Sequence, residues 1–186
     1  MNMLARFALL MPVVAIGLGS TQVSAEASQE WFNPVIKEYG KVRPYPHAAA
    51  QPDAGKQYKI LFSLTKPPES VGKVNPGLEH VARLINLFAF AKVPVGNLHI
   101  VAVVHGSATA SVLDDAHYLE KHKTANPNIK LISALRRVGV KVFVCGQALA
   151  HADLQPEWVN PDVTLALAAL TVLPIYESQG YSLIPE

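Results

Sequence analysis

This sequence has very little cysteine, since Cys145 is the only one among 186 residues. No Cys-x-x-Cys pair exists, which excludes a dithiol oxidoreductase of the thioredoxin type acting on its own. The motifs GxSxG, GxxxxGK[ST] and GxGxxG are also missing, so serine hydrolases, P-loop proteins and dinucleotide-binding proteins lack their defining signals. A single cysteine cannot form an internal disulfide and is a free thiol, an intermolecular link or a carrier.

The chain also lacks a strong excess of charge of one sign. It has 16 lysines and arginines against 14 aspartates and glutamates, so neither nucleic acid nor anionic lipid is an expected partner. His117 and His122 do not have the i, i+4 spacing of a zinc site on one helix face. His151 and Asp153 are neighbours in sequence but have no second cluster to complete a site. We therefore expect no metal and no cofactor.

Long apolar runs are scarce, and one of them lies near the amino terminus. The uncharged apolar stretch at 7–19 follows Arg6, and the small residues Val23 and Ala25 precede a possible cleavage point before Glu26. The strongly apolar part is shorter than the roughly 20 residues that a membrane span needs, which argues against an uncleaved anchor. We predict that residues 1–25 are a cleaved signal peptide. The mature protein is then periplasmic or secreted, with no stable membrane anchor.

Residues 26–57 contain four prolines and show no sustained hydrophobic period. We interpret them as an irregular N-terminal arm. A disordered linker is disfavoured because the arm carries apolar side chains that can pack against the domain or a neighbouring subunit, namely Trp31, Phe32, Val35, Ile36 and Tyr39.

Residues 58–186 alternate between short apolar runs and segments of helical period. Strands are predicted at 58–64, 97–106, 141–146, 163–170 and 181–184, and helices at 75–92, 126–140, 170–179 and in part of 107–123. Such alternation predicts an α/β domain with three layers, in which helices cover both faces of a mainly parallel sheet of about five strands. Pro174 counts against the helix at 170–179, because proline removes a helical hydrogen bond.

Two residues that can carry chemistry follow predicted strands. His105 comes after IVAVV and Cys145 after KVFV, and sites in parallel sheets lie at the carboxyl ends of strands. Cys145 also precedes a predicted helix that begins near Gly146, and amide groups at a helix start favour the nucleophilic thiolate. Free cysteine is equally a residue type that packs in cores as a small apolar group. His105 either contacts a ligand or the thiolate, or is a structural hydrogen-bonding residue.

Three stretches are informative when taken together: VVHGSA (103–108), NPNIKLISALRRVGVKVFVCGQALA (126–150) and NPDVTLALAALTVLPIYESQGYSLI (160–184). They resemble the DsrE/DsrF-like family, and above all its exported members. The resemblance covers roughly residues 57–185 and implies a domain with α/β/α layers that assembles as trimers or hexamers. In relatives of this family a cysteine accepts sulfur as a persulfide and passes it to a partner protein. The resemblance assigns that role to Cys145.

Three functional hypotheses follow from these observations. In the first, the protein is a periplasmic sulfur carrier, sulfurtransferase-like if it is catalytic, with Cys145 as the persulfide carrier. His105 and Gly106 then contact the donor, and the amides of Gly146 and Gln147 steady the anionic sulfur. In the second, the protein is a non-catalytic, homo-oligomeric binding or scaffold protein whose cysteine is structural. A third, weaker hypothesis is redox sensing through an intermolecular disulfide. The sulfur donor and acceptor proteins are not identified by the sequence.

Overall fold

The computed structural model describes residues 30–186, so the predicted signal peptide at 1–25 lies outside the described residues. Five strands form one all-parallel sheet in the order β4-β3-β2-β1-β5, which confirms the α/β class. The strands are β1 (Tyr58–Leu64), β2 (Leu98–Val104), β3 (Lys141–Cys145), β4 (Thr164–Ala166) and β5 (Ser182–Pro185). The helices are α1 (Pro76–Phe90), α2 (Asp115–His122), α3 (Ile129–Arg137), α4 (Gly146–His151) and α5 (Ala169–Ser178).

The central strands β1 and β2 are apolar almost throughout because both faces of the sheet are covered. On one face, Phe62, Ala102 and Val144 belong to the larger core cluster, which the buried sides of α1 and α3 complete. On the other face, Leu61 and Val103 pack with residues of α5. The sheet therefore lies between two helical layers, as the alternation of elements predicts.

Helix α1 begins as its sequence predicts. The side chain of Asn75 accepts hydrogen bonds from the amides of Gly77 and Leu78 at 2.9 and 3.2 Å, and Pro76 occupies the first turn. Leu78, Val81 and Ile85 form its buried stripe, together with Ala82. Capping and periodicity agree at this helix, which is why the prediction for it is accurate.

Most predicted bounds differ by one or two residues, and two elements differ by more. Helix α3 starts at Ile129, since the side chain of Asn126 accepts the amide of Asn128 and holds a turn before the helix. The strand predicted over 163–170 ends at Ala166, and α5 begins at Ala169. The apolar residues at 163–170 fit either a strand or a helix, and alanine and leucine favour the helix in which 169 and 170 lie.

Pro174 lies inside α5 and is tolerated there. Proline cannot donate to the carbonyl one turn earlier, which belongs to Leu170. The Leu170 residue is 86% exposed, so solvent can reach that part of the helix and hydrogen-bond the freed carbonyl.

The described part of the arm, residues 30–57, contains no helix and is fastened to α1. The side-chain oxygen of Asn86 accepts the amides of Val35 and Ile36, each at 2.9 Å, and its NH₂ group donates to the carbonyls of Ile36, Tyr39 and Gly40. Gly40 has φ +66°, and a Cβ there would overlap the backbone of α1. The arm therefore packs against its own domain through hydrogen bonds between its backbone and the Asn86 side chain, and through close contact at Gly40.

Candidate functional site at the carboxyl edge of the sheet

The strand register places His105 and Cys145 side by side. Leu64 pairs with Val104 and Val104 pairs with Val144, so His105 and Cys145 follow paired residues on neighbouring strands. The amide of His105 donates to the carbonyl of Leu64 at 3.0 Å, which extends the β1–β2 ladder by one bond. Alternation along β2 and β3 puts both side chains on the sheet face that α5 covers. The sequence prediction that both residues lie at carboxyl strand ends is confirmed.

Cys145 is 5% exposed and free of any disulfide within the described residues. It packs in the smaller core cluster, where the other side chains are mostly short: Leu61, Val101, Val103, Ala166, Ala168, Ala169 and Val172. Three of these are alanines contributed by the end of β4 and the start of α5. Larger side chains also pack against this cluster, among them Phe143, Leu173, Tyr176 and Tyr181, so the thiol is enclosed by apolar groups.

His105 forms a pair that sequence analysis did not identify. Its Nε2 lies 2.8 Å from the hydroxyl oxygen of Ser63, which stands on the same face of β1. Burial lowers the pKa of His105, so its imidazole is neutral at neutral pH and has one donor and one acceptor nitrogen. No hydrogen bond joins His105 to Cys145 in residues 30–186. His105 therefore offers a neutral polar group, and not a counter-ion, on the face that holds the thiol.

The chain end beyond β5 fixes the position of Ser63. The amide of Glu186 donates to the carbonyl of Ser63 at 2.8 Å, and the amide of Thr65 donates to the carbonyl of Glu186 at the same distance. The Glu186 carboxylate also contacts Nδ1 of His80 on α1 at 2.8 Å. These contacts extend the β1–β5 pairing and hold the partner of His105. No sequence motif marked Ser63 or Glu186, since their roles arise from the sheet register.

Glycine is required at the two glycine positions of the predicted site for different structural reasons. Gly106 has φ +56°, a left-handed conformation, where it starts the 3₁₀ segment 106–112. At Gly146, which begins α4, a Cβ would stand 2.9 Å from the carbonyl oxygen of Ala166. The close approach at Gly146 is thus made by the chain's own β4–α5 connection. Gln147 is exposed, and its side chain donates to the carbonyl of Leu167 at 3.4 Å.

The described residues contain no group of three or more histidine, cysteine, aspartate or glutamate side chains placed to hold a metal ion. His117 instead contacts the carboxylate of Asp114 at 2.8 Å and stacks on Trp158 with ring centroids 5.0 Å apart. His122 lies near Tyr118 on the same helix. His117 thus has a local hydrogen-bond partner, whereas the buried Nε2 of His122 makes no hydrogen bond within the described residues.

Comparison with known proteins gives the family. The sequence model of the DsrE/DsrF-like family matches residues 58–185. This chain belongs to the DsrE/DsrF-like family. No curated protein matches the chain. The family indicates a role related to sulfur metabolism, and the resemblance seen in the sequence is confirmed.

A solved structure supports the same fold. The chain is similar to the protein of unknown function MTH1491 from Methanobacterium thermoautotrophicum, with 14% identity and a TM-score of 0.53. The match covers 70% of this chain and 100% of that chain. At this identity the likeness shows the fold alone.

Within residues 30–186, no helix combines the length and apolar character needed to cross a membrane.

Proposed function

We propose that this member of the DsrE/DsrF-like family is a periplasmic sulfur carrier, in which Cys145 holds sulfane sulfur as a persulfide. The observation that carries the proposal is the place of the chain's one cysteine at the carboxyl end of β3, next to His105 on the neighbouring strand end. Export is part of the proposal and rests on the signal-peptide pattern at 1–25. Family membership does not favour the alternative of a scaffold protein with a structural cysteine.

The chemistry needs no external oxidant or reductant when the donor is a polysulfide. The Cys145 thiolate attacks the terminal sulfur of the donor, a new S–S bond forms, and the donor's own S–S bond breaks. The shortened polysulfide leaves with the electron pair. In delivery, an acceptor thiolate attacks the outer sulfur of the persulfide and the Cys145 thiolate leaves. Each step exchanges one S–S bond for another.

The residues around Cys145 have matching roles in this proposal. The backbone amides of Gly146 and Gln147, at the start of α4, donate hydrogen bonds to the anionic outer sulfur. The neutral ring of His105, held by Ser63, orients the donor without adding a charge to the site. The apolar side chains packed around Cys145 restrict its access to a narrow donor. The outer sulfur, which extends one S–S bond beyond Cys145, is the atom that the acceptor thiolate attacks.

We also propose that the protein self-associates next to this site, as a trimer or hexamer. Support comes from large apolar side chains that are exposed on β4, the β4–α5 connection and α5, namely Leu165, Leu167, Leu170 and Ile175. Exposed apolar clusters of this kind mark interaction surfaces. Sedimentation equilibrium at several concentrations tests the proposal, and a monomer at the highest concentration would contradict it.

The persulfide proposal predicts that Cys145→Ser abolishes sulfur loading. After incubation of the mature protein with inorganic polysulfide and removal of excess donor, intact mass spectrometry should show a gain of one sulfur atom in the wild type and none in the variant. A reducing agent should remove the added mass. Serine has a side chain of similar size but is not a sulfur acceptor. We therefore expect the variant to fold like the wild type, so that a loss of loading reports on the missing thiol. An unchanged wild-type mass would refute sulfur loading.

A further inference from the structure

A second feature, unrelated to Cys145, is a groove between the arm and the outer side of α1. It has a volume of about 280 Å³ and is lined by Trp31, Lys41, Val42, Arg43, Tyr45, Arg83 and Leu87. We call it the arm groove. The sheet separates it from the face that holds Cys145, since α1 packs on the opposite face. Its size is near the lower end of the range for small-ligand sites.

The arm groove gathers positive charge without matching negative charge. Its lining includes Lys41, Arg43 and Arg83 but no carboxylate, and none of the three forms an ion pair within residues 30–186. The nearby Glu79, one turn before Arg83 on α1, uses its Oε1 to accept the amide of Gly40 at 2.8 Å. Like charges held together in this way favour the binding of an anion.

Two donors in this groove have no acceptor from the protein. The Nε atoms of Arg43 and Arg83 are both buried and make no hydrogen bond within the described residues. A buried donor without a partner costs free energy, so either side chain gains if its guanidinium group shifts toward the groove and meets the acceptor oxygens of a ligand. Guanidinium groups suit carboxylate and phosphate because their planar donors match two oxygens at once.

The groove also has an apolar side. The Lys41 ammonium lies 5.2 Å from the centroid of the Trp31 ring, and the Arg43 guanidinium lies 4.8 Å from it. These cation–π contacts hold both cations in position. Trp31 is nevertheless 50% exposed, and Tyr45 and Leu87 are exposed as well. These side chains leave apolar surface beside the cationic one.

We propose that the arm groove binds a small organic anion, a carboxylate or phosphate monoester attached to an apolar body. Arg43, Arg83 and Lys41 hold the anionic group, and the apolar body lies against Trp31, Tyr45 and Leu87. The Asn86 contacts and the close approach at Gly40 fix the arm, so the groove is formed before the ligand binds.

The test uses Trp31 as its own reporter. In a Trp158→Phe background Trp31 is the single tryptophan, and its fluorescence is followed while n-hexyl phosphate, inorganic phosphate or n-hexanol is added at physiological salt. We expect saturable binding of n-hexyl phosphate, weaker binding of inorganic phosphate and none of n-hexanol. Arg83→Gln and Arg43→Gln should each weaken n-hexyl phosphate binding about tenfold, as expected for loss of a charged hydrogen bond.

The matched control is Lys59→Gln, which removes a lysine placed over another aromatic ring, Tyr181, outside the groove. It should leave the affinity for n-hexyl phosphate unchanged. If Lys59→Gln and Arg83→Gln weakened the binding of n-hexyl phosphate equally, the site would be overturned. The result would then reflect only the lower net charge of the protein. Binding of n-hexanol as tight as that of n-hexyl phosphate would overturn the anion assignment. Binding of an oligoglutamate peptide with no response to n-hexyl phosphate would overturn the small-ligand assignment.

Discussion

Replacing Asn86 by leucine is expected to lower the free energy of unfolding by about 3 kcal/mol, although leucine has nearly the same size. Asn86 is fully buried and serves five backbone groups of the arm, two amides and three carbonyls. Each buried polar group left without a partner costs about 1–3 kcal/mol. The arm can partly detach and regain hydrogen bonds with water, which limits the total. Denaturant unfolding of the two proteins measures the difference.

The matched control for this prediction is Asn97→Leu. The Asn97 side chain makes one exposed hydrogen bond, to the carbonyl of Ala54 at 3.4 Å, so the stability should change by less than about 1 kcal/mol. Hydrogen exchange adds a local readout, because the amides of Val35 and Ile36 should lose protection in Asn86→Leu and keep it in Asn97→Leu. Equal stability of the two variants would show that the Asn86 contacts do not hold the arm.

Replacing Gly146 by alanine is expected to cost about 1–3 kcal/mol, the usual range for forcing an extra group into a packed site. The new Cβ would lie 2.9 Å from the carbonyl oxygen of Ala166 and 3.3 Å from that of Leu167. Both obstacles are backbone atoms, which cannot rotate away, so either α4 or the β4–α5 connection must shift. The shift occurs next to Cys145 and should also change the rate of sulfur loading.

Gly96→Ala is the matched control for the alanine substitution. No atom lies within 4 Å of a Cβ at Gly96, and its backbone is not left-handed. We expect unchanged stability or a gain of up to about 1 kcal/mol from the stiffer unfolded chain. Thermal or denaturant unfolding compares the two variants. A Gly146→Ala protein as stable as Gly96→Ala would contradict the close approach that defines the β3–α4 junction.

Much of the fold was predictable from the sequence because the local signals are strong. Strands β1 and β2 are continuous apolar runs, and α1 combines a cap, a first-turn proline and a helical stripe. The position of Cys145 at a strand end followed from the same patterns. The boundary between β4 and α5 was missed, since the apolar residues at 163–170 fit either element.

Other features depend on contacts between distant parts of the chain and were not predictable. Ser63 meets His105 only because β1 and β2 pair in a particular register. Cys145 is buried in a cluster to which β1, β2, β4 and α5 all contribute side chains. The arm groove joins Lys41 and Arg43 to Arg83 through the packing of the arm on α1. Pattern and spacing along the chain do not contain this information.

The central claim is that Cys145 is a thiol that a small reagent reaches in the native protein. Cys145 is 5% exposed, and a thiol that is a carrier reacts in the folded protein despite this low exposure. The most direct measurement is the rate of reaction of the native protein with methyl methanethiosulfonate, over denaturant concentrations below the unfolding transition. We predict a rapid reaction whose rate is independent of denaturant in that range. A reaction that occurs only in proportion to the unfolded fraction would contradict the account.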